Sequence, residues 1–140
     1  MGNFVVVIDD SLTVRKIMEV SLRREGFEVI SFPDGLQAID ALNRNEITVP
    51  DLILLDVGLP KMDGYQVART LKQKNRFGNT VIIMLSGRDG VFDKIKGRLA
   101  GAKEYITKPF KPIEVIAAVR ANLGIQEQAV PSQAARGYSY

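Results

Sequence analysis

The stretch FVVVIDDS at residues 4–11 decides the fold of this chain. Its five apolar residues do not alternate with polar ones, which is typical of a parallel strand buried on both faces. The same pattern recurs in LILL at 52–55 and VIIML at 81–85, which end at Asp56 and Ser86. Weaker runs, FEVIS at 27–31 and KEYI at 103–106, predict two more strands.

Segments of helical periodicity follow the predicted strands. Apolar stripes predict five helices, and the stripes begin at Val14, Ala38, Val67, Val91 and Ile113. Ser11 is placed to cap the first helix and Gly26 to end it. Because strand–helix–strand crossovers are right-handed, the predicted fold class is α/β, with a five-stranded parallel sheet in a doubly wound (βα)5 three-layer sandwich. The pattern stops after Gly124, so we expect one domain at 1–124 and a flexible C-terminal tail at 125–140.

The composition excludes several classes of protein. The 140 residues include 0 Cys and 0 His, so the chain has no disulfide, no Ser–His–Asp or Cys–His hydrolase site and no zinc site of the usual ligands. The net charge of +3 is too small to indicate a nucleic-acid surface. The longest apolar runs have five residues, whereas a membrane helix needs roughly 20. We therefore expect a cytoplasmic protein without membrane insertion or direct nucleic-acid binding.

Chemically capable side chains stand at the predicted strand ends, where ligands gather in open α/β sheets. They are Asp9, Asp10, Asp56, Ser86 and Lys108. Two neighbouring carboxylates about 4 Å apart repel by roughly 4 kcal/mol at an effective dielectric constant of 20. If the first and third strands are neighbours, the three aspartates converge and stay ionised together only beside a cation, for which Mg²⁺ is the natural choice.

A magnesium site with few protein ligands indicates phosphoryl chemistry, because phosphate oxygens complete the coordination. Lys108 supplies a positive charge and Ser86 a hydroxyl donor for phosphoryl oxygens. No histidine or cysteine is present to activate Ser86, so a carboxylate is the expected nucleophile. We rank Asp56 first, because Asp9 and Asp10 form a pair suited to holding metal.

Several polar and aromatic residues near the predicted strand ends also have a purely structural interpretation. Lys108 by itself could be a solvated lysine at a strand end, and Ser86 an N-cap of the next helix. Tyr105 could be an ordinary tyrosine on an edge strand. Asp63-Gly64 is interpreted as a turn, and glycines at 90, 97 and 101 favour low local stability around the fourth helix.

Four motifs in order resemble the receiver domains of two-component response regulators. They are VIDDS at 7–11, LLDVGLPKMDG at 54–64, MLSG at 84–87 and YITKPF at 105–110. The resemblance runs from about residue 3 to 123 and is to the CheY-like kind with a flavodoxin-like fold. The segment 85–110 is also similar to receivers that govern type IV pilus twitching motility.

The resemblance implies roles for individual residues. Asp56 would be the phosphoacceptor and would bind Mg²⁺ with Asp10 and the main-chain carbonyl of Gly58, while Asp9 would hold the ion through water. Mn²⁺ or Ca²⁺ could substitute. Lys108, ahead of a cis proline at Pro109, would contact the phosphoryl group.

The resemblance also implies a switch and its partners. Ser86 would be the switch hydroxyl, and the ring of Tyr105 would turn inward when Ser86 moves onto the phosphate. The donor would be a bacterial histidine kinase or phosphotransfer protein. The surface of the fourth helix, fifth strand and fifth helix, at 89–123, would control a downstream target protein. We expect a monomer or weak dimer that catalyses only its own phosphorylation and dephosphorylation.

Three other functions are weighed against this one. A haloacid-dehalogenase-type phosphatase needs Asp-x-Asp after the first strand, whereas Asp9 and Asp10 are adjacent. A DNA-binding regulator would need a further domain, and only about 16 residues follow the last predicted helix. A receiver that acts without phosphate would have a degraded site, and this site is complete.

Overall fold

The structure is a computed structural model that describes residues 3–125. Five strands and five helices alternate along the chain. The strands are β1 (Phe4–Ile8), β2 (Glu28–Phe32), β3 (Leu52–Asp56), β4 (Val81–Ser86) and β5 (Glu104–Thr107). The helices are α1 (Leu12–Arg24), α2 (Gly35–Asn43), α3 (Gly64–Lys72), α4 (Val91–Ala100) and α5 (Pro112–Asn122), with a short 3₁₀ turn at Asn75–Phe77. The predicted α/β class is confirmed.

The strands form one parallel sheet in the order β2-β1-β3-β4-β5. One face is covered by α2, α3 and α4, and the other by α1 and α5. Every residue of β1 and β3 is buried, because these central strands are covered on both faces. That burial is the physical reason for their uninterrupted apolar runs. The two weaker strands begin and end one residue later than the sequence predicts.

Local signals at the helix ends agree with the sequence. The side chain of Ser11 accepts a hydrogen bond of 3.2 Å from Val14 N and caps α1. Gly26 has a φ of +92° just beyond the end of α1, a conformation that favours glycine. Pro112 occupies the first turn of α5, where a missing N–H costs nothing.

One helix differs from the expectation. The apolar stripe of α4 predicts the helix correctly, but Val91, Ile95 and Leu99 are exposed, and α4 buries only Gly97 and Ala100. The spacing of apolar residues predicts the helix, but it does not predict the direction in which the apolar face points.

The C-terminal boundary is described only up to Ile125. Ile125 packs against the core between the sheet and α5 and donates a hydrogen bond to the carbonyl of Arg120 at 2.9 Å. The rest of the tail predicted at 125–140 lies outside the described residues. No helix of residues 3–125 combines the length and hydropathy needed to cross a membrane.

Candidate functional site

The three aspartates predicted from the strand ends meet at the carboxyl edge of the sheet. Because β1 and β3 pair directly, Asp9 and Asp10 beyond β1 stand beside Asp56, the last residue of β3. Carboxylate oxygens of all three lie within 4.8 Å of one another. Asp9 is only 1% exposed and Asp56 7%, whereas Asp10 is open to solvent.

Lys108, which follows the edge strand β5, extends its side chain into this acidic cluster. It lies immediately beyond β5, and its main-chain N–H donates to the carbonyl of Ser86 at 2.6 Å. Its Nζ donates to Asp9 Oδ2 at 3.0 Å and lies 3.5 Å from Asp56 Oδ1. The peptide bond between Lys108 and Pro109 is cis. A lysine distant in sequence therefore stands between two of the carboxylates.

The charges of the cluster act on one another. Burial raises the pKa of Asp56 above its ordinary value of 3.8, and the charge of Asp9 raises it further. The charge of Lys108 and a hydrogen bond from the N–H of Gly58, at 3.2 Å, lower it in part. Burial alone would lower the pKa of Lys108, but its hydrogen bond to Asp9 and the charge of Asp56 outweigh burial and raise it. Ionisation of Asp56 therefore costs more free energy in the folded protein than in the unfolded chain.

The cluster has the chemistry of a site for a hard divalent cation. It offers three carboxylates and no softer ligand, and such oxygen ligands suit Mg²⁺. The negative charges of Asp9 and Asp10, which add to the effect of burial in raising the pKa of Asp56, are the charges that a cation would neutralise. The three aspartates therefore could hold a metal ion. Gly58 lies beside the cluster, because its N–H donates a hydrogen bond to Asp56 Oδ1.

Ser86 lies at the neighbouring strand end, as the sequence predicts. It is the last residue of β4 and is only 2% exposed. Its Oγ accepts a hydrogen bond of 3.0 Å from the N–H of Arg88, so its lone pair is engaged by the loop that leads to α4. The hydroxyl thus links the edge of the sheet to the connection that precedes α4.

Tyr105 is packed beneath α4 in this structure. Its hydroxyl is buried and has no hydrogen-bond partner. A Cβ added at Gly97 would lie 3.0 Å from Tyr105 Cδ2 and 3.0 Å from Met84 Sδ, tighter than nine in ten real Cβ contacts, so the ring would have to shift. The missing side chain at Gly97 therefore creates the space in which the ring lies. This packing role of Gly97 has no signal in the sequence.

Gly64 has a steric role that is more specific than the predicted turn. A Cβ there would overlap the main-chain carbonyl oxygen of Asp56 and lie 2.8 Å from the Cα of Val57. The N–H of Gly64 donates to the carbonyl of Val57 at 2.9 Å. Asp63 caps α3 by accepting from Gln66 N at 2.9 Å. The start of α3 therefore packs directly against the backbone of Asp56, the candidate phosphoacceptor.

Arg15 is a neighbour of the site that sequence reasoning missed. Its Nη1 donates to the main-chain carbonyl of Asp9 at 2.7 Å. Arg15 lies in the first turns of α1, four residues after the N-cap Ser11, and this position places its side chain near the end of β1. The predicted N-cap could therefore have indicated that Arg15 lies beside the site.

The raised pKa of Asp56 makes a prediction about stability. The folded state binds a proton at Asp56 more tightly than the unfolded state does, so the free energy of unfolding falls as pH rises above 3.8 through the raised pKa. At neutral pH without metal, Asp56→Asn should therefore raise the free energy of unfolding by about 1 kcal/mol, or about 3–5 °C in Tm.

The measurement is thermal unfolding in chelator and in excess Mg²⁺. The wild-type Tm should rise with Mg²⁺, because a ligand of the folded state stabilises it by mass action, and Asp56→Asn should respond less. Asp40→Asn, at an exposed position of α2, is the control and should leave the Mg²⁺ response unchanged. A wild-type Tm indifferent to Mg²⁺ would contradict the metal site.

Comparison with known proteins matches most of the chain to one family. The sequence profile of the response regulator receiver domain matches residues 5–120. Protein PilG of Pseudomonas aeruginosa is 43% identical over 122 residues, which cover 87% of this chain and 88% of PilG. The family expected from the four sequence motifs is the family found, and the likeness to PilG supports the resemblance to receivers of the pilus kind.

Two further proteins show how far the likeness extends. The alkaline phosphatase synthesis transcriptional regulatory protein PhoP of Bacillus subtilis is 42% identical over 132 residues, which cover 94% of this chain but 53% of PhoP. The chain thus spans about half the length of that regulator. The chemotaxis response regulator CheY4 of Vibrio cholerae superposes with a TM-score of 0.78 at 26% identity, covering 87% of this chain and 99% of CheY4. The predicted CheY-like fold is confirmed.

Proposed function

The chain belongs to the response regulator receiver domain family, and we propose that it is a phosphorylation-dependent regulator in which Asp56 accepts a phosphoryl group. The observation that carries the proposal is the convergence of three carboxylates and the Nζ of Lys108 at one edge of the sheet. These 140 residues include 0 His, so the phosphohistidine donor lies outside them, and we propose that it is a histidine kinase or phosphotransfer protein.

Transfer requires an oxygen nucleophile and a way to stabilise phosphoryl charge. A carboxylate oxygen of Asp56 attacks phosphorus in line, an O–P bond forms as the P–N bond to the donor breaks, and the donor leaves as neutral imidazole that keeps the proton on its other ring nitrogen. Lys108 then pairs with a phosphoryl oxygen, from a starting position 3.5 Å from Asp56 Oδ1. Asp9, Asp10, Asp56 and the carbonyl of Gly58 would hold Mg²⁺, or Mn²⁺ or Ca²⁺ in its place. When bound, the ion neutralises charge on the phosphoryl oxygens.

The phosphoryl group would act as a switch through Ser86 and Tyr105. A new acceptor oxygen beside Asp56 attracts the O–H of Ser86 as a donor, while the Oγ of Ser86 accepts from the N–H of Arg88. Movement of Ser86 changes the connection to α4 and the space around the Tyr105 ring beneath it. The surface of α4, β5 and α5 would then change its affinity for a downstream target protein.

We propose an activity, a location, an oligomeric state and a pathway for the protein. The protein would catalyse only its own phosphorylation and dephosphorylation, work in the cytoplasm as a monomer or weak dimer, and bind its kinase and target without contacting nucleic acid. Type IV pilus motility is the pathway that we propose for it, because of the motif likeness at 85–110 and the 43% identity to PilG.

Beryllofluoride, which mimics a phosphoryl group, tests the switch. With Mg²⁺, it should shift the amide NMR resonances of Asp56, Ser86, Tyr105 and α4 in the labelled full chain, whereas Mg²⁺ alone should shift only those near the aspartates. In Ser86→Ala the shifts near Asp56 should persist and those at Tyr105 and α4 should be largely lost. Shifts at α4 that survive in Ser86→Ala would contradict the proposed relay.

A further inference from the structure

Arg15 on α1 contacts the backbone of the aspartate cluster, by which we mean Asp9, Asp10 and Asp56. Its Nη1 donates a hydrogen bond of 2.7 Å to the main-chain carbonyl of Asp9, and its side chain is half-buried. A hydrogen bond from a charged donor is roughly twice as strong as one between neutral groups. Arg15 takes part in no ion pair within residues 3–125. The guanidinium is therefore bound to the main chain of the cluster and not to its carboxylates.

This hydrogen bond fixes the peptide unit that joins Asp9 to Asp10. The carbonyl of Asp9 belongs to that unit, which is planar and rigid. The N–H of Asp9 is held as well, since it donates to the carbonyl of Phe32 at 3.1 Å. On the other side of Asp10, the carbonyl of Ser11 accepts from the main-chain N–H of Arg15 at 3.0 Å. Arg15 thus donates to both residues that flank Asp10.

Asp10 depends on its main chain more than Asp9 does. The carboxylate of Asp9 accepts from Ser11 N and from Lys108 Nζ. The carboxylate of Asp10 is exposed and takes part in no hydrogen bond or ion pair within residues 3–125. One of its oxygens nevertheless lies within 4.8 Å of oxygens of Asp9 and Asp56, although like charges repel. The place of Asp10 in the cluster therefore depends on the backbone that carries it.

We propose that Arg15 is a positioning residue that holds the carboxylate of Asp10 in place for a divalent cation. This inference rests on the proposed function, because the cation is part of that function. Arg15 acts through the peptide unit between Asp9 and Asp10, and it touches neither the ion nor the phosphoryl group. Groups that orient metal ligands from outside the coordination sphere typically change metal affinity about 10- to 100-fold when they are removed.

The positive charge of Arg15, taken alone, predicts the opposite effect on the cation. A guanidinium close to a divalent cation repels it, so removal of that charge should make the cation bind more tightly. Loss of the hydrogen bond to Asp9 should make the cation bind more weakly, because a ligand that is no longer held in place must be ordered when the ion binds. The sign of the change in affinity therefore distinguishes the two effects.

A purely structural role for Arg15 predicts a third result. The hydrogen bond to Asp9 also joins α1 to the end of β1, so its loss would lower the stability of the fold. In that case the Tm in chelator would fall, while the folded protein would bind the cation with unchanged affinity. Measurement of both quantities on the same variant separates a role in the fold from a role in the site.

The test is a titration of the labelled full chain with Mg²⁺, followed by the amide NMR resonances of Asp10 and Asp56. Arg15→Met removes the charge and every donor but keeps a long side chain that suits a helix. We expect its Kd for Mg²⁺ to rise about tenfold. Arg15→Lys keeps the charge and a donor group, and its Kd should stay within about threefold of the wild-type value. Without metal, the amide resonance of Asp10 should be broadened by exchange in Arg15→Met and not in Arg15→Lys.

A matched control separates the hydrogen bond from net charge. Lys16→Met makes the same change in charge one residue further along α1, at a side chain that is 68% exposed, and it should not raise the Kd for Mg²⁺. If Arg15→Met does not fold, Arg15→Gln takes its place, because its shorter neutral side chain cannot span the same distance, and its Kd should also rise. An unchanged or lower Kd in Arg15→Met, or an equal rise in Lys16→Met, would overturn the proposal.

The wild-type chain shows whether a failure belongs to this inference or to the proposed function. Uptake of a phosphoryl group and binding of Mg²⁺ by the wild type, with the same Kd in Arg15→Met, would contradict only this inference. Binding of Mg²⁺ that weakens in Arg15→Met, in a chain that takes up no phosphoryl group, would contradict only the proposed function. A wild-type chain that does neither would contradict both.

Discussion

Asp56→Asn is expected to take up no phosphoryl group from acetyl phosphate and Mg²⁺, whereas the wild-type chain gains one. The amide of asparagine is uncharged and is a poor nucleophile, so the reaction should fall to background. Asp9 is not expected to replace it, because both of its carboxylate oxygens already accept hydrogen bonds, from Ser11 N at 2.9 Å and from Lys108 Nζ at 3.0 Å.

Intact mass spectrometry measures this result. Asp40→Asn is the matched control, since it makes the same chemical change at an exposed position of α2, and it should gain one phosphoryl group as the wild type does. Excess chelator should abolish the gain in the wild type, because the aspartate cluster would then lack its cation. A full gain of mass in Asp56→Asn would show that another residue is the acceptor.

Gly64→Ala is expected to have the largest effect on stability. The new Cβ would overlap the carbonyl oxygen of Asp56 and lie 2.8 Å from the Cα of Val57, and backbone atoms cannot move aside as a flexible side chain can. Gly64 has no positive φ, so the cost is steric and not conformational. We expect the free energy of unfolding to fall by about 3 kcal/mol.

Gly58→Ala separates this effect from a general loss of glycine flexibility. No atom lies within 4 Å of a Cβ built at Gly58, so its free energy of unfolding should stay near that of the wild type. Urea unfolding of both variants gives the comparison. If Gly64→Ala escapes the overlap by shifting α3, its phosphoryl uptake should fall, because the backbone of Asp56 moves with it. Wild-type stability together with wild-type uptake would contradict the packing described at the start of α3.

The elements that the sequence predicts best are those whose surroundings are uniform. β1, β3 and β4 lie in the middle of the sheet with helices on both faces, so almost every side chain must be apolar and the runs are unmistakable. The convergence of Asp9 and Asp56 follows from one topological condition, that β1 and β3 are neighbours. That condition decides the site, because adjacent parallel strands end at the same edge.

Contacts between residues that are distant in the sequence could not be predicted from the local pattern of residue types. The hydrogen bond between Lys108 and Asp9 joins residues 99 positions apart, and no local rule supplies it. The same is true of Gly97, whose role depends on the ring of Tyr105 from the next strand. The outward direction of the apolar residues of α4 escapes prediction for a related reason, since which face of the helix meets the sheet depends on contacts outside the helix itself.

We propose that Asp56, assisted by Lys108 and a divalent ion, accepts the phosphoryl group. Borohydride reduces an acyl phosphate to an alcohol and so converts a phosphorylated aspartate to homoserine, which peptide mass mapping locates. After incubation with acetyl phosphate and Mg²⁺, homoserine should occur at position 56 and should disappear when the ion is chelated. Homoserine at position 9 or 10, or at no position in a chain that has gained phosphoryl mass, would contradict the account.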